Sequence, residues 1–241
     1  FTGDGLVRDG FGHGTHVAGV IGGSGGGVEG IAPDARFVSL RALDDDGAGR
    51  ASDVIAAIDY AIEHRVEYRI RVLNLSLGHP PQESFRTDPL NRAVRRAWAA
   101  GMLVTVSAGN RGRDGSMTIN TPGNDPYVLT VGAMNDLNTA VRADDIAATY
   151  SGKGPTPDFI NRQFILKPDV VALVRSTQMF VDNPCRRLGV LPVHPVVVGC
   201  CARGAVAEDI TGELQHVVTA PCLQPLLGLL TNEYRPPLTI L

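Results

Sequence analysis

His13 stands between Gly12 and Gly14 in the stretch DGFGHGTHVAGVIGG, Asp9 to Gly23. An imidazole titrates near neutrality, so it can take a proton from a weak acid and return it within one reaction. Backbone without side chains on both flanks lets a nucleophile and an extended substrate come close to the ring. Read alone, the segment also fits a histidine that caps the start of a helix. His16 follows one helical turn later. A zinc-peptidase pair would need a four-residue step and an intervening glutamate, neither of which is present, so His16 is expected to pack structurally. Asn110 is the second candidate. It follows VSAG, where a buried strand breaks into a turn, and its amide N–H can donate to an oxygen on which negative charge develops. Taken by itself, SAGN equally fits an asparagine that holds a left-handed turn after Gly109. NLSLG, Asn74 to Gly78, ends its strand in small residues that leave backbone exposed.

Elements that place these residues follow from the apolar pattern. ARFVSLRAL, Ala35 to Leu43, has the content of a strand. ASDVIAAIDYAIEH sets Ile55, Ile58 and Ile62 at helical spacing, with Ser52 expected as N-cap. A second strand is expected over Ile70 to Gly78. Leu90, Val94 and Trp98 then mark a helix that stops at Gly101. MLVTVSAGN and YVLTVGAM, the latter Tyr127 to Met134, supply two further strands. Strands alternating with helices predict a mostly parallel, doubly wound α/β sheet covered on both faces, a three-layer arrangement. In such sheets function gathers at the carboxyl ends of the strands, where His13, Asn110 and NLSLG would meet.

Composition narrows the classes. With 241 residues, 44% hydrophobic and 20% charged, the chain can bury a full core. A net charge of −3 argues against a nucleic-acid surface. Arg92, Arg95 and Arg96 read as the wet face of a helix. No apolar run reaches membrane-spanning length, since Leu188 to Cys201 is broken by Pro192, His194 and Pro195. The chain opens on Phe1, as if inside a domain, so its N-terminus carries no readable address. Cys185, Cys200, Cys201 and Cys222 all lie in the last quarter and match no zinc spacing. GFGHG also raises a dinucleotide-binding loop, but that loop should follow a strand, and LVRD is too short and charged to be one.

HGTHVAG, VLNLSLG, SAGN, TPGNDPYVLTVGA, YSGKGPT and LKPDVVA stand in the order and approximate spacing of subtilisin-like serine proteases. The resemblance covers about residues 9–172, and six ordered motifs carry it together. It implies an incomplete subtilisin-like fold and peptide-bond hydrolysis by an Asp/His/Ser triad. Carried over by residue, His13 resembles the general base and Asn110 the side-chain donor of the oxyanion hole. An extended polypeptide would lie between Leu75, Ser76, Leu77 and Gly78 on one side and Gly47, Ala48 and Gly49 on the other, as an added strand. Alternatively, Gly47 to Gly49 is an ordinary strand-to-helix loop. Ser107, Ala108 and Gly109 would line the primary pocket opposite Leu77, with room for a sizeable apolar side chain. The resemblance further implies a secreted or extracellular monomer. No cofactor is expected; structural calcium would fit the family, with no site identifiable here.

Departures are as informative. Family order is Asp, His, Ser. Only twelve residues precede His13, and neither Asp4 nor Asp9 lies in a segment resembling the family's aspartate strand. After KPDVVA, Lys167 to Ala172, no GTSMAAP-like segment appears; Ser176 in STQM lacks the preceding glycine and the small residues that should follow. Cysteine and proline rise beyond that point, and helical periodicity ends. Residues 1–172 are therefore expected to form a partial peptidase domain, and 173–241 an atypical segment, poorly ordered or read in a shifted frame. A divergent extension is the plainer alternative. A chain without its serine cannot form an acyl-enzyme, so it is expected to be inactive as it stands. A non-catalytic peptide-binding pseudoprotease is the second functional reading.

Overall fold

A computed structural model describes residues 1–5, 8–24, 30–137, 139, 141–173 and 238–240. Helix α2 (Ala51–Glu63) buries Val54, Ala57, Ile58 and Ala61, and α3 (Pro89–Ala99) buries Leu90, Ala93, Val94 and Ala97. Both sets follow the three- and four-residue steps that line one face of a helix. The stripes meet each other and the sheet in one core, with Leu73 and Leu75 from β2 (Ile70–Leu75) and Val104 and Val106 from β3 (Leu103–Ser107). Each large aliphatic side chain removed from water there contributes about 2 kcal/mol. The other face of the sheet is covered by α1 (His13–Gly22), whose Val17 and Ile21 pack against Phe37 of β1 (Arg36–Val38), while the next residue, Val38, faces the α2 and α3 side. Alternate residues of one strand thus serve the two outer layers.

The sheet runs β1, β9 (Leu238–Ile240), β2, β3, β4 (Leu129–Asn135), with β4 also paired to β8 (Val170–Leu173) and to the short β5 (Ile146–Ala147). All these pairings are parallel except β4 with β5. A separate antiparallel hairpin joins β6 (Thr156–Asp158) to β7 (Gln163–Ile165). This is the doubly wound, mostly parallel α/β arrangement expected from the sequence, in incomplete form.

Three local expectations need correction. The first strand spans only Arg36–Val38, because the chain then turns away so that Arg41 can reach Asp4 and Asp45. Ser52 does not cap α2: Arg50 occupies the cap position without a side-chain bond, and Ser52 lies inside the helix. Asp53 in that first turn instead faces the positive helix end and pairs with Arg50 at 3.0 Å. Arg95 is not on a wet face. Its Nε donates to the buried Asp125 at 2.7 Å, while Arg92 and Arg96 remain exposed. At α3 the expected stop held, with Gly101 at φ 85° following its end; the structure adds Asp88, which accepts from the Asn91 N–H, and Pro89, which opens the helix.

Candidate active site

Helix α1 begins at His13 itself, and the cap position is Gly12 with φ 85°, a conformation that strains any residue bearing a Cβ. The imidazole does not cap the helix. Asp9 does that work from outside, accepting from the Gly12 N–H at 2.6 Å, the Thr15 N–H at 2.9 Å and the Thr15 hydroxyl at 2.6 Å. Both Asp9 oxygens are thereby engaged on the free amides of the helix start. Asp4 is held by Arg41, Nη1 to Oδ2 at 2.7 Å. Neither aspartate had been assigned a role in catalysis, and their contacts are those of a cap and an ion pair.

The His13 ring instead turns to the segment after β2 and lies against the backbone of Ser76. Burial holds its pKa below 6.5, with the Ser76 contact and the Asp9 charge opposing that shift. This direction favours the neutral form of His13 at physiological pH. His16 is also lowered, first by burial and then by the neighbouring His13. Among the described residues no cluster of three or more His, Cys, Asp or Glu side chains is placed to hold a metal ion.

Register brings the other candidates to the same edge. Leu75 pairs with Val106, so Ser76 emerges beside Ser107. Ala108 is tied down by its N–H to the Val131 carbonyl at 2.8 Å, and the Gly109 carbonyl accepts from Gly152 N–H at 2.8 Å. Gly109 itself carries the left-handed conformation, φ 92°. Asn110, three residues past the end of β3, is exposed and is not left-handed. The turn-holding alternative for Asn110 is therefore overturned: the glycine before it makes the turn, and Asn110 is exposed. His13 and Asn110 thus both stand at the carboxyl edge of β2 and β3.

The loop with Gly47, Ala48 and Gly49 lies against Phe11 of the histidine segment. It is closed by the Asp44 N–H to Ala48 carbonyl bond at 2.7 Å and by the Asp44 carboxylate, which accepts from the Asp46 and Ala48 N–H groups at 3.0 Å. Asp45 fastens this loop to the histidine loop by pairing with Arg8 and Arg41.

Two residues at this edge were not singled out from the sequence. Phe11, 56% exposed, stands with its ring centroid 6.5 Å from that of His13. It covers Gly47, where φ is 75° and an added Cβ would come within 2.8 Å of the phenyl ring. Asn120 lies behind Gly109, its Nδ2 2.6 Å from where a Cβ on Gly109 would sit, and its Cβ 3.1 Å from the corresponding point on Gly78. The Asn120 amide thus fills space directly behind the proposed primary pocket. Phe11 had a readable signal, an aromatic residue two positions before the histidine. Asn120 had none, since only folding brings it against Gly109. Ser176 lies outside the described residues.

A doubly wound, mostly parallel sheet with a half-buried histidine near one strand end and a glycine-asparagine turn after the next defines an α/β protein with these candidates at the carboxyl edge of its strands. The chain belongs to the Subtilase family, whose profile matches residues 3–183. It is 38% identical over 182 residues to serine protease AprX of Bacillus subtilis (strain 168), a stretch that covers 71% of this chain and 41% of that protein. Subtilisin-like protease 1 of Trichophyton rubrum is 35% identical over 158 residues, 64% of this chain and 28% of the fungal protein. Among solved structures, Sphericase superposes with a TM-score of 0.53 at 32% identity, covering 60% of this chain and 46% of its own. The S41 Psychrophilic Protease gives 0.51 at 29%, with coverage of 64% and 48%. The chain spans less than half the length of these relatives. Its fold is the subtilisin-like one, in part.

Proposed function

We propose that this chain carries the base and the peptide groove of a subtilisin-like serine endopeptidase, and that as a 241-residue polypeptide it does not complete the reaction. The observation that carries this reading is the His13 ring set against the Ser76 backbone at the edge where Ser107 to Asn110 also emerge. In the proposed reaction His13 takes the proton of a serine hydroxyl as that oxygen attacks the scissile carbonyl, then returns it to the leaving amine. The Asn110 amide donates to the oxyanion of the tetrahedral intermediate. Leu75 to Gly78 and Gly47 to Gly49 hold the substrate as an added strand, and Ser107 to Gly109 receive one of its side chains. Imidazole, hydroxyl and amide suffice for this chemistry, so no cofactor enters it; calcium, if bound, is structural. The proposed partner is an extended polypeptide, with neither nucleic acid nor membrane, acted on by a monomer outside the cell. Extracellular action is supported by the 31% identity over 163 residues to the Minor extracellular protease Epr of Bacillus subtilis (strain 168).

Residues 1–172 form the partial peptidase domain in this reading, and 173–241 derive from a shifted reading frame. Translating the same DNA in the other two frames is expected to yield a GTSMAAP-like run, and its absence from both would overturn the shifted-frame origin. A fluorophosphonate, which labels activated serines, is expected to leave the 241-residue chain unlabelled. It should label a longer chain that supplies the serine segment and an aspartate strand, and His13→Ala should abolish that labelling. Undiminished labelling in the variant removes His13 from the role of base. A pseudoprotease is the second reading, favoured by the fact that the groove residues are present while no aspartate or serine of a triad is assigned; a longer chain that binds peptide yet stays unlabelled would support it.

A further inference from the structure

We infer that the cavity between β1 and the turn joining α2 to β2 is a binding site for an aromatic carboxylate, whose ring lies on the tyrosines of its wall and whose charge is held by Arg36 and Arg69. The site goes beyond the groove reading and does not depend on it. Its two arginines stand where β1 and β2 begin, whereas Ser76 and Ser107 to Asn110 stand where β2 and β3 end. The cavity measures about 840 Å³, a volume usual for small-molecule sites. Among the described residues its apolar wall includes Phe37, Val38, Tyr60 and Tyr68. The tyrosines belong to one column of rings. Tyr60 stacks on His64 with centroids 3.9 Å apart and 20° between the planes, and His64 stacks on Tyr68 at 5.7 Å and 11°. Phe1 meets Tyr60 edge-on at 5.8 Å. Rings fixed against one another form a preformed face, so a planar ligand covers them at little cost in ordering.

Charge and backbone strain single out the anion. Arg36 and Ile70 both pair with Leu238 of β9, so they stand two strand spacings apart, about 10 Å, and Arg69 directly precedes Ile70. Both arginines are exposed, and neither has a carboxylate partner among the described residues. Glu67 is the one acidic residue that lines the cavity among those described. Contact with Tyr60 and then the Glu67 charge push the Tyr68 hydroxyl up to about 12, so that phenol stays neutral. The wall therefore carries a net positive charge, and a guanidinium fork takes a carboxylate by two parallel bonds. Arg69 also sits where glycine is usual. The turn closes with the Ile70 N–H on the Arg65 carbonyl at 2.8 Å and the Arg69 N–H on the Val66 carbonyl at 3.3 Å, a helix ending that needs a left-handed residue. Arg69 supplies it at φ 54°, a conformation that strains any residue with a Cβ. A task for the side chain in the cavity explains why the strain is kept.

The test is a fluorine NMR titration of the full 241-residue chain with a ring-fluorinated indoleacetate and, as its uncharged counterpart, the corresponding indoleacetamide. The acetate is expected to bind saturably and about tenfold more tightly than the amide. Arg36→Gln and Arg69→Gly should each weaken binding of the acetate about tenfold. Arg69→Gly should at the same time raise the urea midpoint of unfolding, because glycine relieves the left-handed strain. A residue with a structural task alone would not lose binding while gaining stability. Arg92→Gln, on the exposed side of α3, should leave the affinity unchanged and so separates a local site from the loss of one positive charge. Equal affinity for acetate and amide, binding that does not saturate, undiminished binding in either arginine variant, or equal weakening by Arg92→Gln overturns the inference. The groove reading stands in each of those cases.

Discussion

At the residue scale, His13 is the side chain on which most depends, and its titration is set by burial more than by charge. Its folded pKa lies below 6.5, so over the interval between the two values the unfolded chain binds a proton that the folded chain refuses. The stability it contributes is therefore complete above pH about 6.5 and is lost as the pH falls through that interval, with His16 acting in the same sense. An NMR titration should place the His13 midpoint below 6.5. Urea unfolding should show less stability at pH 5 than at pH 7.5, and His13→Gln should flatten that difference. A midpoint above 6.5 would refute the burial argument. Gly47 yields a second prediction. With φ 75° and the Phe11 ring 2.8 Å from the site of a Cβ, Gly47→Ala should lose about 1–2 kcal/mol of unfolding free energy. The bare histidine loop was legible in the sequence because glycine leaves an unmistakable mark. The reason for Gly47 was not, since its partner is 36 residues away and only the fold brings them together.

Elements position these side chains through contacts that periodicity does not reveal. Helix α3 was recognised from its apolar stripe and its glycine stop, both of which are local signals. Its second task is to anchor the loop that precedes β4. Arg95 Nε reaches Asp125 at 2.7 Å, Asn91 Nδ2 donates to Asn124 Oδ1 at 2.9 Å, and the Tyr127 N–H donates to Asp125 Oδ1 at 2.9 Å. Asp125 is fully buried, and burial pushes its pKa above 3.8 against these stabilising partners. The same loop carries Asn120 and Thr121, and Thr121 pairs with His79 by bonds of 2.9 and 3.1 Å. The network thus runs from α3 to the backbone behind the groove. Asp125→Ala should cost about 3 kcal/mol in urea unfolding, because it leaves the Arg95 guanidinium without its buried partner. Asp88→Ala, which removes only the helix cap, should cost about 1 kcal/mol. Equal effects of the two substitutions would contradict the anchoring role. Three arginines in one helix look alike in a sequence; which of them faces a buried carboxylate is decided by packing.

For the whole molecule, the described sheet has one unexpected member. β9 lies between β1 and β2, parallel to both, and it is the element through which β1 joins the sheet. A slot between two parallel strands must be filled, since it otherwise leaves backbone donors and acceptors of both neighbours unpaired. Leu-Thr-Ile suits such a slot by its branched and apolar content, whatever reading frame it comes from. A chain ending at Leu173 should therefore lose hydrogen-exchange protection at Phe37 and Val38, while Val104 and Val106 keep theirs between β2 and β4. Unchanged protection at β1 in the shortened chain would show that β9 contributes nothing to it.

The sequence alone determined the α/β alternation, the bare histidine loop, the glycine-asparagine turn and the ordered motifs of the family, because each is written in residues near one another along the chain. The tertiary structure decided the rest. It turned the His13 ring onto Ser76 instead of a helix cap, assigned the left-handed turn to Gly109 instead of Asn110, buried the partner of Arg95, and set Phe11 over Gly47. The physical reason is common to all four. Local pattern reports a residue's own backbone preferences and the face it presents, whereas the partner that meets that face comes from a distant segment brought there by the packing of sheet and helices.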